Sequence, residues 1–360
     1  IADLGLTEDN YILKTNVPEG QECYEAAMDM VDKGCNIIFA DSFGHEPYMI
    51  DAAKENPDVQ FCHSTGTRAH TEGLANYHNA FASIYEGRYL AGIAAGMKLN
   101  EMIEAGKFTA EEAKIGYVGA FTYAEVVSGY TSFFLGARSV CPTVTMEVTF
   151  TGSWYDETLE KTGAELLIDR GCKLISQHAD SYGAPTACQN AGVPNVSYNG
   201  STKNVGADTY IISSRIDWAP YYEYAIKAVM DGTEIATDWT GTLATGSVVL
   251  EELNTDVAAA GTAEAIAAAT TKLENGELHV FDVSTFTTRA DDTMNTFKVD
   301  FLKVDADGHI TSYLADVDTD EAYTGDTEVV HDGYFSESEK RSAPYFDLQI
   351  DGIELLNTAM

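Results

Sequence analysis

The strongest constraint in this 360-residue chain is its rhythm, a strand-like run followed by a helix-like run, repeated and then restarted. The run "YILKTNV" (11–17) reads as a strand. In "EGQECYEAAMDMVDKG" (19–34), Ala26, Ala27, Met30 and Val31 share one helical face and Gly34 stops the helix. "NIIFADS" is continuously apolar, as in a parallel sheet covered on both faces. A helix over 45–56, strands "VQFCHSTG" and "LANYHNAF", and a long helix of small residues, "ASIYEGRYLAGIAAGMKLNEMIEAG", complete the first series. The second begins at "KIGYVGAF" and runs through a helix (124–140), "VTMEVTFTGSW", a helix ended by Gly171, "CKLISQHAD", a short helix, "VPNVSYNG" and "DTYIISSRID". Then come "WAPYYEYAIKAVMDG", a strand pair around "WTGTLATGSVVL", and an Ala-rich helix over 255–275. Alternation at this spacing predicts βαβ units with right-handed crossovers, and two series predict two lobes.

The boundaries expected from this pattern are a first lobe over 1–110, to which 218–285 returns in part, and a second over 113–215. Residues 288–360 break the rhythm and read as a β-rich extension. "FLKVDADGHITSYLADVD" is a hairpin turning at Asp307-Gly308. It is a poor calcium loop, because Lys303 and Leu314 would stand at the first and twelfth ligand positions. The β pattern continues over 322–356.

Charge narrows the function. Fifty-seven acidic against 21 basic side chains give a formal charge of −36, which repels nucleic-acid backbones and anionic lipid surfaces. The six cysteines lack CxxC or metal-ligand spacing and imply no disulfide framework; Cys35, Cys62 and Cys172, in or beside apolar strand-like runs, are expected to act as small buried hydrophobes. No run approaches the ~18 apolar residues of a membrane span. The chain opens at Ile1 without a signal-type region. GxGxxG, GxxxxGK[ST], HExxH and GxSxG motifs are missing, so no cofactor is expected.

In open α/β sheets ligands bind beyond the carboxyl ends of the strands. Those ends read "DSFG" (41–44), "HSTG" (63–66), "GAFTYAE" (119–125), "TGSW" (151–154), "HADSYG" (178–183), "YNGS" (198–201) and "SRIDW" (214–218). Aromatics, hydroxyls and acids dominate, with Arg215 the lone cation. Flat aromatic walls with acidic acceptors suit a neutral, planar ligand that donates hydrogen bonds. His178 and Asp180 admit three readings: a catalytic pair, a metal site, or a pocket rim. The structural alternative for His178 is a strand-end ring bonded to backbone.

Several segments resemble the basic-membrane-protein family of ABC transporter solute-binding proteins, which bind purine bases or nucleosides. These are "IIFADSFGHEPYMIDAAKENPDVQFCHSTG", "NAFASIYEGRYLAGIAAGMK", "KIGYVGAFTYAEVVSGYTSFFLGARSV", "TGSWYDETLEKTGAELLIDRGCKLISQHADS", "DWAPYYEYAIKAVMDGT" and "LENGELHVF", in order over roughly 10–282. The "QHADS" and "DWAPYY" forms look closest to the adenine-type branch. The resemblance implies an α/β fold of two Rossmann-like lobes, the type I periplasmic-binding-protein fold, closing on ligand by a hinge. It implies an extracytoplasmic protein, periplasmic or lipid-anchored, that works as a monomer, partners an ABC permease and performs no catalysis. Carried onto this chain, the ligand contacts are Phe43, Glu125, Asp180, Ser181, Tyr182, Gly200, Asp217 and Trp218, with Trp218 and Tyr182 as stacking rings and Trp154 a weaker candidate. The family's first strand has no counterpart here, so the chain is expected to be an N-terminally incomplete version. A ligand sensor on the same fold, and a purine hydrolase or deaminase using His178 and Asp180, are the competing functions.

Overall fold

The computed structural model describes residues 2–289, 295, 300–317 and 327–360. Its elements follow the predicted alternation. After the extended segment 11–17 come α1 (Gln21–Asp32), β1 (Ile37–Ala40), α2 (Glu46–Glu55), β2 (Gln60–Ser64), α3 (Ala69–Glu72) and β3 (Tyr77–Ala82). The second series is α4 (Ile84–Glu104), β4 (Lys114–Gly119), α5 (Ala124–Val140), β5 (Thr145–Phe150), α6 (Glu157–Asp169), β6 (Leu174–His178), α7 (Gly183–Ala191), β7 (Asn195–Tyr198) and β8 (Tyr210–Ile216). The chain then forms α8 (Ala219–Asp231), β9 (Asp238–Gly241), β10 (Val248–Leu250) and α9 (Thr262–Glu274). The extension carries β11 (Leu302–Val304), β12 (Ile310–Ala315), β13 (Thr327–Glu328), β14 (Val330–His331), β15 (Tyr334–Phe335) and β16 (Ile353–Leu355).

Two sheets define two lobes. The first has the order β1-β2-β3-β9, all parallel, with Ala27, Ile38, Met49, Ile50 and Phe61 in the core on one face. Tyr221 and Ala225 of α8 pack with Cys62 and Ala80 in a second cluster of the same lobe. The second sheet has the order β10-β8-β7-β6-β4-β5-β16, parallel except for β10. The chain passes between lobes three times, at residues 82–84, 216–219 and 241–248.

Four sequence expectations change. Residues 11–17 pair with no described strand; the outer edge of β1 likewise has no described strand partner, and a groove of about 1200 Å³ separates it from this extended segment. β9 and β10 are not a pair, since one joins each sheet. Residues 84–104, placed by rhythm in the first lobe, form α4, whose Leu90, Ala91 and Ala94 share a core with Tyr117, Val127 and Phe133 of the second. The extension is no separate appendage: Phe346, Leu348 and Ile353 enter that same core, and β16 pairs parallel with β5, Ile353 opposite Met146. The hairpin β11–β12 forms as read, with the Asp305 carboxylate accepting the N–H groups of Asp307 and His309 in its turn. Residues 322–326 of the expected β run lie outside the described residues.

The small residues of "YLAGIAAG" have a steric purpose. A Cβ on Gly92 would overlap the Phe133 carbonyl, and one on Gly136 would overlap that of Tyr89, so α4 and α5 touch backbone to backbone. Helix starts and stops are local: the Asp156 carboxylate accepts from the N–H groups of Thr158 and Leu159 to cap α6. Replacing Gly92 by Ala is expected to lower stability by about 1–3 kcal/mol, because packed helices must separate. Urea unfolding measures it, and an unchanged midpoint would contradict the contact.

Candidate functional site

The strand ends of the two lobes face each other through aromatic rings. Phe43, in the short turn after β1, is 36% exposed and stacks on Tyr123 of the second lobe, with centroids 5.1 Å apart and planes at 24°. Tyr123 stacks in turn on Phe121 at 5.0 Å and 12°, and Trp154 meets Phe121 edge-on at 5.1 Å. Four rings therefore form a continuous wall that begins on one lobe and ends on the other.

Beside this wall the second lobe gathers polar groups. Glu125, on the first turn of α5, lies 3.5 Å from the buried His178 ring at the end of β6. That ring packs on Tyr198 with centroids 4.0 Å apart. Contrary to the structural reading of His178, neither ring nitrogen has a hydrogen-bond partner among the described residues. Asp180 opens to the cleft and accepts a 3.0 Å hydrogen bond from the Asn199 amide. Crowding by the cleft walls desolvates its carboxylate and raises its pKa, while the Asn199 amide and His178 pull the other way and Glu125 adds to the rise. Asn199 and Gly200, at φ 63° and 157°, turn the chain after β7 into the cleft rim.

The remaining sequence candidates are placed differently. Ser181 is buried and occupied: its N–H donates to Glu160 and its hydroxyl accepts from the Gly183 N–H. Tyr182 stands 47% exposed at the start of α7. Asp217 accepts from the Ala219 N–H and pairs with Arg215 at 3.2 Å. Arg215 also meets Glu251 at 2.6 Å, which neutralises the single cation of the strand ends. Trp218 sits edge-on to Phe81, with centroids 6.1 Å apart. With Asp217, Asp41 and Ser42 it lines the groove beside β1, which Phe43, Glu125, Asp180 and Tyr182 do not line.

Sequence reasoning passed over Tyr123 and Phe121 as ring surfaces, although both stand in "GAFTYAE" at a strand end. It also passed over Arg88 of α4, which is fully buried beneath the cleft. Its guanidinium donates to the Ser197 carbonyl (3.0 Å), the Tyr117 hydroxyl (3.1 Å) and the Ser176 hydroxyl (2.7 Å). Among the described residues no group of His, Cys, Asp and Glu side chains is arranged to hold a metal ion.

Two lobes joined by three crossings, with their strand ends facing, define the two-lobed solute-binding architecture. A solute-binding protein of an ABC transporter system from Aeropyrum pernix shares it at TM-score 0.62 and 17% identity, over 79% of this chain and 86% of that one. Residues 8–282 match the model of the Bmp family, PnrA-like ABC transporter substrate-binding proteins, and the chain belongs to that family. Among its relatives, one from Haloferax volcanii named as an ABC transporter glucose-binding protein is 34% identical over 257 residues, 71% of this chain and 62% of that one. A purine-binding protein of Brucella abortus is also 34% identical, over 218 residues, 61% of this chain and 58% of that one. The chain thus spans about three-fifths of the length of these relatives. No described helix is long and apolar enough to cross a membrane.

Because the Asn199 amide lowers the pKa of Asp180, Asn199→Ala is expected to move that carboxyl's titration midpoint upward. Carbon-13 NMR of the side-chain carboxyl reads this directly; an unmoved midpoint would remove Asn199 from the carboxylate's shell.

Proposed function

We propose that this protein is an extracytoplasmic solute-binding protein that holds a purine base or nucleoside between its lobes and delivers it to an ABC permease. The observation that carries the reading is the stacked contact of Phe43 with Tyr123 across the two lobes. Paired flat faces on opposite lobes suit a planar heterocycle, which would enter between them and draw both lobes onto itself. Glu125 and Asp180 accept ring or exocyclic N–H groups in charge-assisted hydrogen bonds. The Asn199–Gly200 turn brings backbone to the rim, Tyr182 closes it from the α7 side, and Asp217 and Trp218 act at the crossing into the first lobe. Binding stabilises the closed state by contacts made to both halves, and no bond in the ligand changes. The purine-binding relative from Brucella supports this ligand class. The protein works as a monomer, and its cargo is neutral because the strand ends present acids and a neutralised Arg215.

Calorimetry with adenine, adenosine, inosine and glucose tests the reading. One purine is expected to bind at one site per chain and to be recovered unchanged. Phe43→Ala should weaken it about tenfold, since a stacked pair contributes about 0.5–1.5 kcal/mol beyond burial. Binding of glucose alone would overturn the purine assignment, and turnover abolished by His178→Ala would overturn the binding role.

A further inference from the structure

The last 25 residues of the chain lie outside the family match and touch both lobes. At one end they are latched to the first lobe. Ser342 donates its N–H (3.0 Å) and its hydroxyl (2.8 Å) to the same oxygen of Asp238, which opens β9. The hydroxyl of Thr240, on the same strand, donates to the Ser338 carbonyl at 3.4 Å. On the second-lobe side of the first crossing, Tyr85 of α4 donates to the Glu337 carbonyl at 3.2 Å.

Beyond the latch the segment is sewn into the second lobe. Phe346 and Leu348 are fully buried in its core, Asp351 pairs with Arg138 of α5 at 2.7 Å, and β16 extends the sheet beside β5. The Asn357 side chain accepts from the Phe150 N–H (2.8 Å) and donates to the Phe150 carbonyl (2.9 Å). Finally Ala359 and Thr122 close a reciprocal pair: the Thr122 N–H donates to the Ala359 carbonyl at 2.7 Å, and the Ala359 N–H donates to the Thr122 hydroxyl at 2.9 Å. Thr122 lies between Phe121 and Tyr123, the two rings at the centre of the cleft wall.

We propose that residues 337–359 are a strap between the lobes, with Thr122, Asn357 and Ala359 as positioning residues for the cleft wall and the Ser342–Asp238 latch as a limit on lobe separation. Two facts carry it. The loop that presents Tyr123 and Glu125 is fixed at Thr122 by Ala359. The same continuous segment grips β9, four residues long and just ahead of the third crossing, so rotation of the lobes about the crossings strains the latch first. The inference depends on lobe geometry and not on which solute is bound.

Hydrogen exchange read by mass spectrometry tests the cleft end on the full-length protein, a chain ending at Leu356, Thr122→Val and Thr122→Ser. The shortened chain should exchange the amides of residues 120–126 at least tenfold faster while β2 and β3 stay protected. Thr122→Val should show part of that gain, and Thr122→Ser, which keeps the accepting oxygen, should behave as the parent. Unchanged protection of 120–126 in the shortened chain, or an equal rise in every strand, would overturn the positioning role. Small-angle X-ray scattering of Asp238→Ala and Ser342→Ala tests the latch: a larger radius of gyration than the parent is expected, in Ser342→Ala even if Asp238→Ala misfolds, and an unchanged radius in a folded variant would overturn it.

Discussion

A single buried guanidinium ties the crossing helix of this protein to the sheet that carries most of its cleft. Arg88 leaves α4 and donates to groups on β4, β6 and β7, the three central strands of the second sheet. The rings of Phe133, Tyr117 and Tyr198 lie 4.8 to 5.5 Å from its central carbon, so the charge is held by π-faces as well as by oxygens. A buried cation of this kind is costly unless its donors are received; both terminal nitrogens find acceptors on the three strands, while Nε has none among the described residues. Tyr198 transmits that order upward: it packs on His178, which faces Glu125. The polar half of the cleft is thus built on an electrostatic knot one layer below it.

The close crossing of α4 and α5 complements this knot. Glycine at 92 and 136 lets the two backbones meet, which fixes the start of α5 and with it Glu125 and the loop carrying Tyr123. The first lobe contributes less to the cleft, chiefly Phe43 on a turn whose backbone is braced by Glu19, which accepts from the Gly44 N–H and the Ser42 hydroxyl. One lobe is therefore a rigid platform and the other supplies a facing ring, an arrangement suited to hinge closure. The extended 11–17 segment and the edge of β1, which no described strand pairs, leave the first lobe with the smaller described sheet and an open groove beside it.

The alternation of strands and helices and the two lobes were legible in the sequence, because parallel-sheet strands and small-residue helices leave strong periodic signals; the family was legible from its resemblance in segments such as "YEGRYLAG" and "QHADS". The site was legible only as a layer. Strand ends pointed to a set of loops, and the rings that meet across the lobes are Phe43 and Tyr123, while Trp218 lies against Phe81 beside the β1 groove. Which ring of a loop faces a partner lobe depends on the angle between lobes, and no local pattern encodes it. Arg88 escaped for a related reason: an arginine among alanines and glycines on a helix reads as a solvated position until three strands close over it. The extension read as β-rich but detached, since three residues of β16 give no hint that β5 waits for them.

The account rests on the slot between Phe43 and Tyr123. A crystal structure of the protein with bound adenosine would test it most directly. The purine should lie flat between the two rings, moving their centroids from 5.1 Å to about 7 Å or more, with Glu125 or Asp180 accepting a ring or exocyclic N–H. Rings still in mutual contact, with the purine seated against Trp218 in the groove beside β1, would contradict it.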